Sequence, residues 1–186
     1  MRTAWLTLLA AGLAITAKGA TINFQVSNLG GGEFQYNYSI SGLSLQAGQS
    51  LDISFPGATY SALLAGEAGD STCSTPAPCV GNTGMNWMLL LLPPNSPPGG
   101  AGDYLATADI NNPSLAGPFT ADFTLEPGAQ AGSQSYTIFD TNFNTIASGS
   151  TTPTGSGGAG AVPEPASFPL ALAGVLFLGV LRAVRR

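Results

Sequence analysis

The side chains of this chain that could perform acid–base chemistry are carboxylates. The sequence holds ten Asp and Glu residues, five Lys and Arg residues and no histidine. A Ser–His or Cys–His nucleophile is therefore excluded, and no phosphate-binding loop or zinc-ligand spacing occurs. Paired carboxylates hydrolyse glycosides, and the candidate pairs are Asp103 with Asp109 or Asp122. These acids lie in or beside predicted turns, so we interpret them as solvated and predict no enzymatic activity and no cofactor.

Cys73 and Cys79 are the only cysteines, and both lie in one segment rich in Pro, Ser and Thr. Their spacing differs from C-x-x-C, and the chain has no histidine to complete a metal site. Two cysteines in one loop of an exported chain are typical of a local disulfide. We therefore predict a Cys73–Cys79 disulfide, and a redox or metal-binding pair is the alternative.

The segment that begins at Asp140 resembles the opening of a calcium-binding loop. Asp140, Asn142 and Asn144 alternate as the first ligands of such a loop do. The match then fails, because Thr145 stands where glycine is needed and Thr151 stands where a bidentate glutamate is needed. We interpret the segment as a turn rich in Asp and Asn and predict no metal site there.

Five aromatic side chains could form an exposed sugar-binding surface, which would make the chain a carbohydrate-binding module. They are Tyr36, Tyr38, Tyr60, Trp87 and Tyr104. Tyr36 and Tyr38 share one face of a predicted strand, but Phe34 and Ile40 share that face too. The apolar neighbours favour packing in a core, and the carbohydrate-binding module remains the alternative.

No basic side chain occurs between Gly19 and Leu181, and all ten acids lie in that span. A body with only negative charge cannot neutralise phosphates, so we predict no binding to nucleic acid. Binding to anionic lipid headgroups is excluded for the same reason. The same surface charge favours solubility in an exported protein.

The middle of the chain, residues 20–147, reads as an all-β body. Apolar and polar residues alternate over Glu33–Ser41, Leu51–Phe55 and Phe119–Leu125, as in half-buried strands. Further predicted strands recur at roughly ten-residue spacing with Gly/Pro turns between them. They are Thr21–Ser27, Tyr60–Leu64, Met85–Leu92, Tyr104–Ile110, Ser135–Phe139 and Asn144–Ser148. We predict an antiparallel β-sandwich, either immunoglobulin-like or jelly-roll.

The N-terminal residues 1–19 read as a secretory signal helix. An arginine precedes the apolar run Trp5–Ile15, and small residues stand at Ala17 and Gly19. This order is typical of a signal peptide cleaved after Gly19. Cleavage after Ala17 or Ala20 and an uncleaved anchor are the alternatives.

A Gly/Ser/Thr-rich linker, residues 148–161, leads to an apolar segment near the C-terminus. Ala166–Leu181 carries no charge and would cover roughly 24 Å as a helix, against a hydrocarbon core of about 30 Å. We predict a transmembrane helix over residues 168–184. The basic residues that would hold its end in the cytoplasm are Arg182, Arg185 and Arg186.

Residues 162–186 as a whole resemble the PEP-CTERM sorting signal. The tripeptide Pro163-Glu164-Pro165, the short apolar helix and the terminal arginines follow one another in that order. The resemblance implies recognition by an exosortase, a membrane cysteine transpeptidase of Gram-negative bacteria. It also implies cleavage near the tripeptide and transfer of the body to the cell exterior, often with exopolysaccharide. Two prolines keep the tripeptide extended, as a protease cleft requires.

Together these features predict an exported, non-enzymatic cell-surface or extracellular-matrix protein. The C-terminal helix would tether it to the inner membrane until processing delivers the body to the cell surface or the medium. The expected partners are an exosortase-type enzyme, the membrane and exopolysaccharide.

Overall fold

The computed structural model describes residues 19–82 and 84–154, and secondary structure within them is entirely β. The strands are β1 (Thr21–Gly30), β2 (Glu33–Ser41), β3 (Ser50–Phe55), β4 (Tyr60–Ala68), β5 (Ser71–Cys73), β6 (Cys79–Val80), β7 (Trp87–Leu92), β8 (Gly102–Ala108), β9 (Phe119–Leu125), β10 (Ser135–Phe139), β11 (Thr145–Ser150) and β12 (Thr152–Pro153).

These strands form two six-stranded sheets. Sheet A has the order β12-β1-β2-β9-β4-β5, and sheet B has the order β11-β10-β3-β8-β7-β6. Every pairing is antiparallel except that of β1 with β12, which is parallel. The prediction of an all-β fold built from antiparallel sheets is confirmed for the described residues.

The period-two alternation of the sequence builds one core between the sheets. In β3, Leu51, Ile53 and Phe55 are buried, while the residues between them are half-buried on the outer side. Sheet A contributes Tyr36 and Phe123, whose rings stack with centroids 4.6 Å apart. Such burial of aromatic and branched side chains supplies most of the free energy of folding.

Two chain segments join the sheets at their lateral edges. Cys73 in β5 and Cys79 in β6 are disulfide-bonded, with Cα atoms 6.1 Å apart, and link the edge of sheet A to the edge of sheet B. On the other side the chain crosses from β11 to β12 at the buried Thr151. The Thr151 N–H donates to the Gln134 carbonyl, and the Gln134 N–H donates to Thr151 Oγ1.

Several boundaries differ from those predicted. The strand predicted over Tyr60–Leu64 continues to Ala68, because bulges against β9 shift its alternation. The edge strands β5, β6 and β12 were not predicted, since two or three residues carry no periodic pattern. The linker prediction begins too early: the chain over residues 148–153 still pairs in β11 and β12.

The predicted signal peptide, the tripeptide Pro163–Pro165 and the helix over residues 168–184 lie outside the described residues, apart from Gly19. Residues 19–82 and 84–154 contain no helix that is long and apolar enough to cross a membrane.

The Tyr36 hydroxyl is the main polar group of the core. It lies 2.6 Å from the Tyr60 hydroxyl, donates to the Gly132 carbonyl at 2.8 Å and accepts from the Gly132 N–H at 2.9 Å. The loop before β10 is thereby bonded to sheet A. These bonds satisfy a hydroxyl that would otherwise be costly to bury.

We expect Tyr36→Phe to lower the free energy of unfolding by about 1–3 kcal/mol, because the Gly132 N–H and the Tyr60 hydroxyl lose a buried partner. Urea titration of the variant gives this value. The control is Tyr136→Phe, which removes one bond, to the Ala20 carbonyl, and should cost less. Equal costs for the two variants would contradict the central role of Tyr36.

Candidate functional site

The predicted alternative of an exposed aromatic surface is wrong for the five aromatics proposed for it. Tyr36, Tyr38, Tyr60, Trp87 and Tyr104 are between 0 and 6 % exposed and belong to the core. Their interpretation as core residues is confirmed. A sugar ring cannot stack on them in this fold.

The candidate carboxylate pairs are not brought together. Asp103 in β8 and Asp122 in β9 alternate with buried residues and face outward from different sheets, on opposite sides of the sandwich. Asp109 follows the far end of β8, roughly 20 Å from Asp103 at about 3.3 Å per residue. Neither predicted pair has the spacing that a glycosidase needs.

The structure instead places Asp103 near a carboxylate that the sequence did not single out, Asp52. Asp52 lies in β3 opposite Leu105, and Asp103 lies opposite Ser54, so the two acids are diagonal neighbours on the outer face of sheet B. Burial, and secondly the Asp103 carboxylate, raise the pKa of Asp52 to about 7. Burial also raises the pKa of Asp103.

Asp52 is only half-solvated. Its Oδ1 atom is buried and has no hydrogen-bond partner among the described residues. Its cross-strand neighbours are Leu105 on β8 and Thr137 on β10. At mildly acidic pH, protonation of the Asp52 carboxyl group avoids the cost of a partly buried charge without a partner.

An apolar patch begins beside Asp52 at Leu105 and extends across β7 to β6, and we call it the leucine face. It consists of Val80, Met88, Leu90, Leu92 and Leu105, on β6, β7 and β8. Val80 is 62 % exposed, and the other four are half-buried. An outward sheet face is normally polar in an antiparallel sandwich, so this face departs from the usual pattern.

The outer face of sheet A is polar and forms what we call the amide–hydroxyl face. Its central members are Gln35, Glu67, Thr72, Thr120 and Asp122, which line a shallow cavity of about 180 Å³. Gln35 Nε2 donates to Asp122 Oδ1 at 2.8 Å. The face offers neutral donors, neutral acceptors and carboxylates, but no cation, because the chain has none between Gly19 and Leu181.

A second cavity of about 230 Å³ lies beside the edge of Trp87 and is lined by Asp70 and Asn86. Asp70 accepts hydrogen bonds from the backbone N–H groups of Asn86 and Trp87 and from the Asn86 side chain. The indole N–H of Trp87 donates to the Ser114 carbonyl at 3.1 Å. The polar groups of this cavity are thus bonded to one another, and they stabilise the turn that leads into β7.

The segment after Asp140 forms the turn predicted for it. Asp140 Oδ1 accepts from the N–H groups of Asn142 and Asn144, each at 2.8 Å, and Oδ2 accepts from the Asn144 side chain at 2.9 Å. These bonds, with the Asn144 side chain first, lower the pKa of Asp140. Within the two described ranges no three acidic or thiol side chains converge as ligands of a metal would.

Comparison with protein-family models, curated proteins and solved structures finds no match for this chain.

The contribution of Asp52 to stability should fall as pH rises, because its folded-state pKa lies above its unfolded value of about 3.9. The stabilisation from the bound proton is complete below about pH 4 and is lost as pH rises through about 7. Asp52→Asn should flatten this dependence and raise the free energy of unfolding at about pH 8 by about 1–3 kcal/mol, after allowance for partial exposure.

The measurement is urea unfolding across this pH range. Glu33→Gln on the exposed side of sheet A is the matched control, and it should reproduce the wild-type pH dependence. A pH dependence unchanged by Asp52→Asn would show that Asp52 titrates as an ordinary surface acid.

Proposed function

We propose that the chain is an exported, non-enzymatic cell-surface or extracellular-matrix protein. The apolar segment 168–184, predicted from the sequence to be a helix, tethers it to the inner membrane until an exosortase-type enzyme cleaves near Pro163-Glu164-Pro165. The observation that carries the proposal is the order of features in residues 162–186: the tripeptide, the uncharged apolar run and the three arginines.

The extent of the β body supports this proposal. The compact unit that holds both sheets ends at Thr154, before the tripeptide. At the other end β1 begins at Thr21, and the Ala20 carbonyl accepts from the Tyr136 hydroxyl at 2.7 Å. Cleavage after Gly19 and near Pro163 would thus leave all twelve described strands and this hydrogen bond intact.

The cysteine pair supports export as well. Cys73 and Cys79 lie at bonding distance and join the edges of the two sheets. Disulfides form and persist in oxidising compartments such as the periplasm and the cell exterior. A structural disulfide at this position suits a protein that folds after secretion.

We assign contact with exopolysaccharide to the amide–hydroxyl face. Amide, hydroxyl and carboxylate groups on one sheet surface match the hydroxyl-rich surface of a polysaccharide. The cavity between Gln35, Thr120 and Asp122 offers room for part of one sugar ring. This assignment replaces stacking on exposed aromatics, which the burial of the five aromatics excludes.

For the finer fold class, we infer a jelly-roll-like arrangement rather than an immunoglobulin-like one. The supporting observation is the nested pairing of distant strands: β2 pairs with β9 in sheet A, and β3 pairs with β8 in sheet B. Strands that pair in this nested order wrap from one sheet to the other, as two Greek keys do.

Processing can be tested by mass spectrometry of the protein from a wild-type host and from a host that lacks the exosortase-type enzyme. We expect a C-terminus near Pro163–Pro165 in the first host and the intact Arg186 end in the second. A triple variant, Pro163→Ala, Glu164→Ala and Pro165→Ala, should keep the intact end in both hosts. Glu33→Gln is the control. An identical C-terminus in both hosts would refute the sorting proposal.

Polysaccharide contact can be tested by co-sedimentation of the processed protein with the host's own exopolysaccharide. The double variant Gln35→Ala and Thr120→Ala should reduce the bound fraction by about fivefold or more, because both side chains lose their polar groups. The control, Thr137→Ala on sheet B, should bind as wild type does. Equal loss in both variants, or in neither, would remove the assignment to sheet A.

A further inference from the structure

The outer face of sheet B has a regular layout around Asp52. Directly paired residues form one row across five strands, the central row. From β6 to β10 the row reads Val80, Leu90, Leu105, Asp52 and Thr137. It begins apolar, passes through the half-buried acid and ends in a hydroxyl.

Two further rows flank the central row, each two residues away along the strands. The first contains Leu92, Asp103 and Ser54, which are paired across β7, β8 and β3. The second contains Met88, Thr107 and Ser50 on the same three strands and continues to Phe139 on β10. On this outer face, the outward residues of β7 are apolar, those of β8 are mixed and those of β3 are polar.

A two-fold axis laid along the central row makes this layout complementary to itself. Such an axis brings each residue of the central row opposite its own copy and exchanges the two flanking rows. Leu92 then meets Met88 of the second molecule, and Asp103 meets Thr107, whereas Ser50 is buried within its own molecule and makes no contact. On β7 apolar groups face apolar groups, and each carboxylate of Asp103 faces the hydroxyl of Thr107.

We propose that the leucine face and Asp52 form an interface with a second copy of this chain, related by a two-fold axis along the central row. The side chains that pack are those of β6, β7 and β8, and Asp52 lies opposite Asp52. This inference does not depend on the proposed export or processing.

The chemistry of Asp52 makes the association depend on acid. Two ionised carboxylates opposite each other repel, whereas a protonated carboxyl donates a hydrogen bond to its neighbour. The Oδ1 atom of Asp52 is buried within its own molecule, so Oδ2 is the oxygen that such a bond uses. Asp103 is the only other titratable side chain on this face of β3, β7, β8 and β10, since Tyr104 and Tyr136 point into the core.

No cation competes for Asp52 in this contact. The strands of sheet B carry no cation, because the chain has none between Gly19 and Leu181. Two acid-only molecules repel over most of their surfaces, and this face is the one where a carboxylate is readily neutralised. Ser50 and Thr107 share a hydrogen bond of 2.9 Å. When the buried Ser50 hydroxyl donates this bond, the Thr107 hydroxyl can donate to Asp103 of the second molecule.

The test is sedimentation velocity of the full chain in a mild detergent at about pH 5 and about pH 9. We expect dimers at the lower pH and an association constant at least about a hundredfold lower at the higher pH, because each carboxyl that must hold a proton is then only about 1 % protonated. Asp52→Asn should dimerise at both pH values, since a carboxamide both donates and accepts. Glu33→Gln should behave as wild type.

A second variant separates loss of the interface from loss of the fold. Leu90→Gln should abolish dimers at both pH values while its urea midpoint stays near that of wild type, because Leu90 is on the outer side of β7. Monomers at both pH values for the wild type, or a pH dependence retained in Asp52→Asn, would overturn the proposal. Dimers that persist in Leu90→Gln would overturn it too.

The symmetry has its own test by cross-linking. The two cysteines of the chain are bonded to each other, so an introduced cysteine is the only free thiol. Leu90→Cys lies on the axis, and a bis-maleimide with a reach of about 8–10 Å should cross-link it to its own copy across packed sheets. Leu92→Cys lies off the axis and should not cross-link to itself. Equal cross-linking of the two variants would exclude this axis.

Discussion

The β body has to accommodate every carboxylate without a counter-ion, since no Lys, Arg or His lies between Gly19 and Leu181. Asp70 and Asp140 are satisfied by backbone N–H groups within turns, and Asp122 accepts from the amide of Gln35. Asp52 has none of these partners. For this residue alone among the four, no hydrogen-bond donor offsets the burial, which raises its pKa to about 7.

Without ion pairs, cohesion comes from burial and from hydrogen bonds inside the core. Tyr36 and Phe123 of sheet A pack against Phe55 of sheet B, and the Tyr36 hydroxyl bonds to the loop before β10. The disulfide connects the sheets at one lateral edge, and the chain crosses between them through Thr151 at the other. Salt should therefore have little effect on the interactions in the core, and it should act mainly on the repulsion between surface carboxylates.

Local alternation was enough to predict the strands around Tyr36, Ile53 and Phe123, because each has one buried face. It could not predict β5, β6 or β12, which exist only because a neighbouring strand offers them partners. Nor could it find the site at Asp52. Alternation places that residue outward, but only the pairing of β3 with β8 and β10 shows how little water reaches it.

The short length of β6 has a consequence for how copies of this molecule assemble. Sheet B ends beside the leucine face with a strand of two residues, and Cys79 of that strand is bonded to Cys73. A neighbouring molecule that tried to add a strand there would find almost no backbone on which to build a ladder. A dimer through the leucine face, as proposed above, closes at two copies, and β6 offers too little backbone to serve as a template for fibre growth from this edge.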